Sequence, residues 1–298
     1  MAQYYEHRGF QTSCIVSEGR QARPHIVGKG ERQCPFCKEN ITLIEEVRGE
    51  VRFEDEWIRI VNNKYPICGG SVEGVHDVVI DTIHHDKELQ AYTTKHWVKL
   101  LELLQKRWLE LAHKQYKLIQ IFKNSGVEAG ASIPHPHWQI IALKECPLTM
   151  QAHYRRVQEA ISEGQCPICQ EKQYSLLQDE AWELLIPQVP TVAQEVWLKC
   201  KTHGYCFSKW TEKDFLMIGQ LMQKLFIAYK QLYGKIDYNI CLMLGDFETQ
   251  DDYHDFIKVL PRSGKFAGFE LATGCMIHEM DANTFYKQMR KILEEESC

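Results

Sequence analysis

Two short motifs of one shape, Cys34-Pro-Phe-Cys37 and Cys166-Pro-Ile-Cys169, stand out in this chain of 298 residues. A Cys-x-x-Cys pair brings two sulfurs to one point, as a tetrahedral zinc site or a redox dithiol requires. Two copies favour metal over redox chemistry. Histidines complete each set. His85 and His135 follow the first pair, His203 and His254 the second, at intervals of 50 and 51 residues. His84 competes with His85, and spacing does not separate them. Each set is Cys₂His₂, closed at four ligands. Such sets suit structural zinc, because catalytic zinc needs an open position. Two structural zinc ions per chain are therefore the expected cofactors. The other eight of the 12 cysteines are scattered and read as buried filler or inert thiols.

His135 has a neighbour with a different prospect. In Pro134-His-Pro-His-Trp-Gln139, an extended strand puts His135, His137 and Gln139 on one face and Trp138 on the other. With His135 held by zinc, His137 stands beside a rigid anchor, and a neutral imidazole is a good nucleophile toward phosphorus. Gln139 is suited to hydrogen-bond phosphate oxygens during attack. Upstream, Ser125, Gly126, Gly130 and Ser132 make a small-residue loop whose backbone can approach a phosphate closely. In the second copy Phe256 replaces His137 and Asp255 replaces Pro136, so chemistry is expected in the first half alone. Lys123, Arg262 and Lys265 are candidate cations for an anionic substrate.

The elements that carry these residues also repeat. After each cysteine pair comes a strand-like run, Trp57–Pro66 or Trp182–Pro190, then another, Asp77–Asp81 or Glu195–Lys199. An amphipathic helix follows, with Trp97, Leu100, Leu101, Leu104, Trp108 and Leu111 on one face in the first half. Phe215, Ile218, Met222, Leu225, Phe226 and Tyr229 play that part in the second. Strands resume at Leu118–Phe122 and Tyr238–Met243. The expected fold is α+β: two tandem units, each an antiparallel sheet with a long helix and a zinc site. They divide as residues 1–150 and 151–298, with the boundary between about Ala142 and Gly164.

Composition narrows the function. Lys and Arg total 35 against 40 Asp and Glu, a net charge of −5, which argues against a phosphate-tracking nucleic-acid binder. No window approaches the roughly 18 apolar residues of a membrane span. The polar, aromatic start Met-Ala-Gln-Tyr-Tyr has no signal-peptide pattern. A cytoplasmic protein is expected, with no nucleic-acid or membrane partner.

Taken together, Cys34–Cys37, Asn63-Lys-Tyr-Pro66, Gly74–Asp81, Phe122-Lys-Asn through Gln139, and Gly268–Gly274 resemble the galactose-1-phosphate uridylyltransferase family of the histidine-triad superfamily. The second cysteine–histidine set and its His-Asp-Phe strand look more like the ADP-glucose phosphorylase branch. The resemblance implies two histidine-triad-like halves and a double displacement through a nucleotidyl-histidine at His137. By matching position, Asn63 would contact base or ribose, and Asn124, Ser132 and Gln139 the phosphates. Phe269 and Glu270 would lie at the sugar end. The substrates so implied are a nucleotide sugar and a sugar 1-phosphate, with UMP transfer between a UDP-sugar and a hexose 1-phosphate as the leading reaction. Adenylyl transfer of the ADP-sugar phosphorylase type is the alternative, and a zinc-stapled nucleotide-binding module without catalysis is a further one. A homodimer is the assembly left open. Two departures bear on specificity: Ile67-Cys-Gly-Gly70 stands where the family usually has Ala-Leu, and Trp138 is bulkier than the usual Gly or Ser.

Overall fold

Period-two alternation builds ten of the twelve strands into one antiparallel sheet. The structure, a computed structural model, describes residues 1–22, 34–41, 44, 46–245 and 253–295. Its strands are β1 (Ala2–His7), β2 (Thr12–Ser17), β3 (Val47–Phe53), β4 (Glu56–Asn62), β5 (Gly74–Ile80), β6 (Leu118–Ser125), β7 (His137–Leu143), β8 (Tyr174–Gln178), β9 (Trp182–Ile186), β10 (Val196–Cys200), β11 (Tyr238–Met243) and β12 (Phe256–Pro261). Its helices are α1 (Lys38–Ile41), α2 (Thr94–Ala112), α3 (Leu148–Ser162), α4 (Pro167–Gln170), α5 (Glu212–Tyr233), α6 (Gly268–Thr273) and α7 (Ala282–Glu295).

β1 and β2 pair as a separate hairpin, while the large sheet runs β3-β4-β5-β7-β6-β11-β12-β10-β9-β8. Read inward from either edge, β3-β4-β5-β7-β6 and β8-β9-β10-β12-β11 have the same connections. The repeat legible in the cysteine and histidine spacing is thus a repeat of topology, and the fold is α+β. The two five-stranded units meet at β6 and β11, paired antiparallel from Ser125–Tyr238 to Ile121–Leu242. Helix α3 occupies the stretch in which the sequence places the boundary between halves.

The two long helices, α2 and α5, cover one face of the sheet, while α1, α3 and α4 pack on the other. Every apolar position singled out on α2 and α5 is buried, and these residues join Ile60, Val79, Ile140, Leu198 and Val259 of the strands in one core. Each such side chain contributes roughly 1.5–3 kcal/mol by leaving water. The two long helices touch at a glycine: a Cβ on Gly219 would stand 2.6 Å from Trp97 Cβ. Helix α5 opens on a capping box of Thr211 and Asp214, and α2 opens on Thr93, whose hydroxyl accepts the His96 N–H. No helix among the described residues is long and apolar enough to cross a membrane.

Three local expectations change. Strand β7 begins at His137, not at Pro134, because Pro134 and Pro136 have no N–H to give a ladder. Strands β3 and β8 escape the sequence reading. They are the sheet edges, and each carries a register irregularity, at Val47/Gly49 and Ser175/Leu177, that blunts an otherwise open edge. Lys123 does not serve the phosphate face. It lies beside Trp138 on the helix side of the sheet, 2 % exposed, with its ammonium 2.8 Å from Asp81 Oδ2.

Candidate active site and metal centres

Both cysteine–histidine sets close in space. The donor atoms of Cys34, Cys37, His85 and His135 lie within 4.8 Å of one another, as do those of Cys166, Cys169, His203 and His254. Both sets take shape from the same parts: a cysteine pair at a short helix, a histidine after the third strand of the unit, and one before its fourth. His85, not His84, is the member of the first set. His84 turns to Glu56, 3.7 Å away.

The donor chemistry fits zinc. Cys37 Sγ is 3.3 Å from His85 Nδ1 and 3.8 Å from His135 Nδ1; Cys169 Sγ is 3.6 Å from His203 Nδ1 and 3.1 Å from His254 Nδ1. Those separations bracket the roughly 3.5 Å between sulfur and nitrogen on a zinc tetrahedron with bonds of about 2.3 and 2.0 Å. His135 donates its Nε2–H to the Thr82 carbonyl at 2.8 Å, and His254 donates likewise to Cys200 at 2.7 Å. That fixes the tautomer with an Nδ1 lone pair toward the sulfurs, the usual outer support of a ligating histidine. Burial and the adjacent Cys166 push the Cys169 thiol up to about 11. That thiol keeps its proton until a cation takes the charge. All eight predicted ligands therefore converge as two sets able to hold metal ions.

His137 stands at the first position of β7, 4 % exposed. The strand alternation argued for His135 does not reach it, since it precedes the ladder, yet the rings of both histidines flank Phe36. Its centroid is 6.0 Å from that of His135 and 5.5 Å from that of His137. Phe36 sits between the two cysteines and so ties the metal loop to His137, a contact the sequence reading missed. The His137 Nδ1 donates to the His135 carbonyl at 2.8 Å. Nε2 then carries the lone pair. Burial lowers this imidazole to about 4, so it is neutral near pH 7.

Gln139, two residues on, shares that face. Its Oε1 is 3.0 Å from His76 Nε2. The Ile67 N–H donates to His76 Nδ1, so His76 Nε2 bears the proton and donates to Gln139. Asn63 lies against the group: its Oδ1 accepts the Tyr65 N–H at 2.8 Å, and its NH₂ stands 3.0 Å from the protonated His76 Nε2, a meeting of two donors and so not a hydrogen bond. His76 was not foreseen, although a polar residue inside the apolar run of β5 was its visible signal. Asn124 lies on the same face of β6, half-buried, and Ser132 is buried at the end of the glycine loop.

The second copy is filled where the first places His137. Phe256 packs on Trp197 at 4.8 Å between centroids, and Lys258, in the place of Gln139, is 3.4 Å from Glu195. Phe269 is exposed on α6, and Glu270 caps that helix by accepting the Ala267 N–H at 3.1 Å. Lys265 reaches from this segment to Glu128 of the glycine loop at 3.6 Å, and Arg262 lies against Phe266.

Known proteins share this fold. A family described as the N-terminal domain of a domain of unknown function (DUF4931) matches residues 15–146. ADP-glucose phosphorylase of Arabidopsis thaliana is 27% identical over 286 residues, covering 87% of this chain and 82% of the relative. Galactose-1-phosphate uridylyltransferase of Thermotoga maritima is 27% identical over 258 residues, 81% of this chain and 80% of the relative. The crystal structure of the Arabidopsis phosphorylase with bound ADP-glucose superposes with a TM-score of 0.78 at 24% identity, over 98% of this chain and 99% of that one. Over four-fifths of its length the chain is similar to a galactose-1-phosphate uridylyltransferase and an ADP-glucose phosphorylase, and these relatives mark it as a nucleotidyltransferase.

Proposed function

We propose that the protein moves a UMP group between a UDP-sugar and a hexose 1-phosphate through a covalent nucleotidyl-histidine at His137. The observation that carries this reading is the fixed tautomer: with Nδ1–H donated to the His135 carbonyl, the nitrogen left to attack is Nε2. Nε2 forms a bond to the α-phosphorus, the bond from that phosphorus to the sugar 1-phosphate oxygen breaks, and sugar 1-phosphate departs. A second sugar 1-phosphate then attacks the same phosphorus and releases the imidazole. Leaving and entering groups are already phosphate anions, so no strong general base is needed. Positioning and charge stabilisation supply the acceleration.

Gln139, Asn124 and Ser132 are the donors for the phosphates in this scheme, and Asn63 meets base or ribose. Phe269 and Glu270 are the sugar-side contacts. Residues 1–150 form the reacting half and residues 151–298 a supporting one. Cys34, Cys37, His85 and His135 would hold one structural zinc, and Cys166, Cys169, His203 and His254 a second. Zinc there supplies rigidity and no step of the reaction. The setting is cytoplasmic.

Adenylyl transfer from an ADP-sugar to phosphate is a second reading, favoured by the 286-residue likeness to an ADP-glucose phosphorylase. Incubation with labelled UDP-sugars and ADP-sugars, followed by intact mass, separates the two by the nucleotide retained. His137→Gly abolishes the adduct, and added imidazole restores transfer. No adduct from either donor leaves the non-catalytic module as the reading that stands.

A further inference from the structure

We propose that Asn239, on the half without a nucleophile, is a positioning residue that fixes the Asn124 carboxamide with its NH₂ toward the phosphate of the transferred nucleotide. This rests on the transfer reading above. Asn239 Nδ2 is 2.9 Å from the Ala129 carbonyl and 2.8 Å from Asn124. A backbone carbonyl only accepts, so the end of Asn239 facing it is the NH₂ end. The Asn124 atom meeting that same nitrogen is therefore Oδ1. With its oxygen turned to Asn239, Asn124 is left to set its two N–H donors against an anion.

The sheet puts those donors at the right level. Phe122 pairs with Gln139 and Lys123 with Trp138, so the next step along β6 brings Asn124 level with His137. Asn239 lies across from Asn124 on β11. His137, Asn124 and Asn239 thus form one transverse row, and its last member comes from the other half. β11 also grips the glycine loop beside this row. Asp237 Oδ2 accepts the Glu128 N–H at 2.8 Å, and a Cβ on Gly126, at φ +88°, would fall 1.9 Å from Asp237 Oδ1. Both ends of the phosphate cradle, the Asn124 amide and the loop at 128–129, are therefore set by residues of the second half.

Asn239→Asp removes the donor and keeps the size. Asn124 then turns its own NH₂ to the carboxylate and presents Oδ1 to the phosphate. The rate of His137 nucleotidylation should fall on the order of 10- to 100-fold at neutral pH, as for a lost oxyanion donor. The ratio of variant to wild type should rise as the pH is lowered toward the titration range of the new carboxylate, where it gains an O–H donor. A merely structural asparagine gives no such acid recovery. Asn239→Ala, Asn124→Ala and the double variant form a cycle that does not depend on Asn239→Asp folding. Acting largely through Asn124, Asn239 should cost much less once Asn124 is alanine than it does in wild type, the remainder being its bond to the Ala129 carbonyl. Additive losses, or single-variant rates within about twofold of wild type, overturn the inference. A wild-type protein that forms no adduct overturns the transfer reading instead. The cycle is then read from the Kd of UDP and ADP, where equal affinity in wild type and Asn239→Ala overturns this inference as well.

Discussion

Lys123→Met tests which face of the sheet the nucleophile strand turns to solvent. Burial pushes the Asp81 carboxyl up, but the Lys123 ammonium more than offsets this and holds it below its ordinary value. Asp81 Oδ2 accepts from Lys123 at 2.8 Å and from the Trp138 indole at 3.0 Å. Methionine fills the lysine stem without a cavity, so the loss is that of one partner of a buried pair, about 3–5 kcal/mol. A chain of this length has an unfolding entropy near 0.6 kcal/mol per degree, so the thermal midpoint should fall by about 5–8 °C. Near-ultraviolet dichroism of the buried tryptophans follows the transition. Adding Asp81→Asn should recover most of the loss, because the orphaned charge goes with it. The KM for the nucleotide donor should stay put. A midpoint unchanged within about 1 °C, with a raised donor KM, would place Lys123 on the phosphate and refute the face assignment.

Cys34→Ser should remove about one zinc equivalent and lower stability with it, since structural zinc binding is coupled to folding, while Cys206→Ser keeps the full metal content; elemental analysis with thermal unfolding decides. Phe256→His should yield no second nucleotide adduct by intact mass, because Lys258 and Trp197 occupy the space and charge that Gln139 and its neighbours leave open in the first half. Gly126→Ala should slow adduct formation and cost on the order of 1–3 kcal/mol in urea unfolding, since the new Cβ meets the Asp237 carboxylate and the left-handed backbone disfavours any side chain.

Much of this was legible in the residues, for physical reasons. Metal ligands announce themselves because thiols and imidazoles at repeated intervals have few other uses, and the long helices because 3–4 spacing survives in any context. His137 and Gln139 were legible through their closeness to one ligand. What escaped depends on partners distant in sequence. Lys123 looks like a cation near a phosphate loop until the pleat turns it away and Asp81 takes it. The choice of His85 over His84 is made by Glu56. His76 and Asn239 matter because of what they touch, Gln139 63 residues later and Asn124 115 residues earlier, and neither type nor spacing carries that. Edge strands β3 and β8 were missed because they are the more exposed strands and lack the continuous apolar runs that mark their inner neighbours β4 and β9.

The β6–β11 seam has a consequence for any shortened version of the chain. The strands there exchange backbone hydrogen bonds from Ser125–Tyr238 to Ile121–Leu242, in the middle of the sheet. A fragment ending near residue 150 keeps His137 and one cysteine–histidine set but loses that partner strand and the helix α5 that covers it. Unlike β3 and β8, which carry edge irregularities, β6 pairs in unbroken register on both sides. It would be a long, regular open edge, the kind that recruits another backbone. Such a fragment should self-associate through β6, with two copies of the N-terminal unit facing each other where an N-terminal and a C-terminal unit now meet.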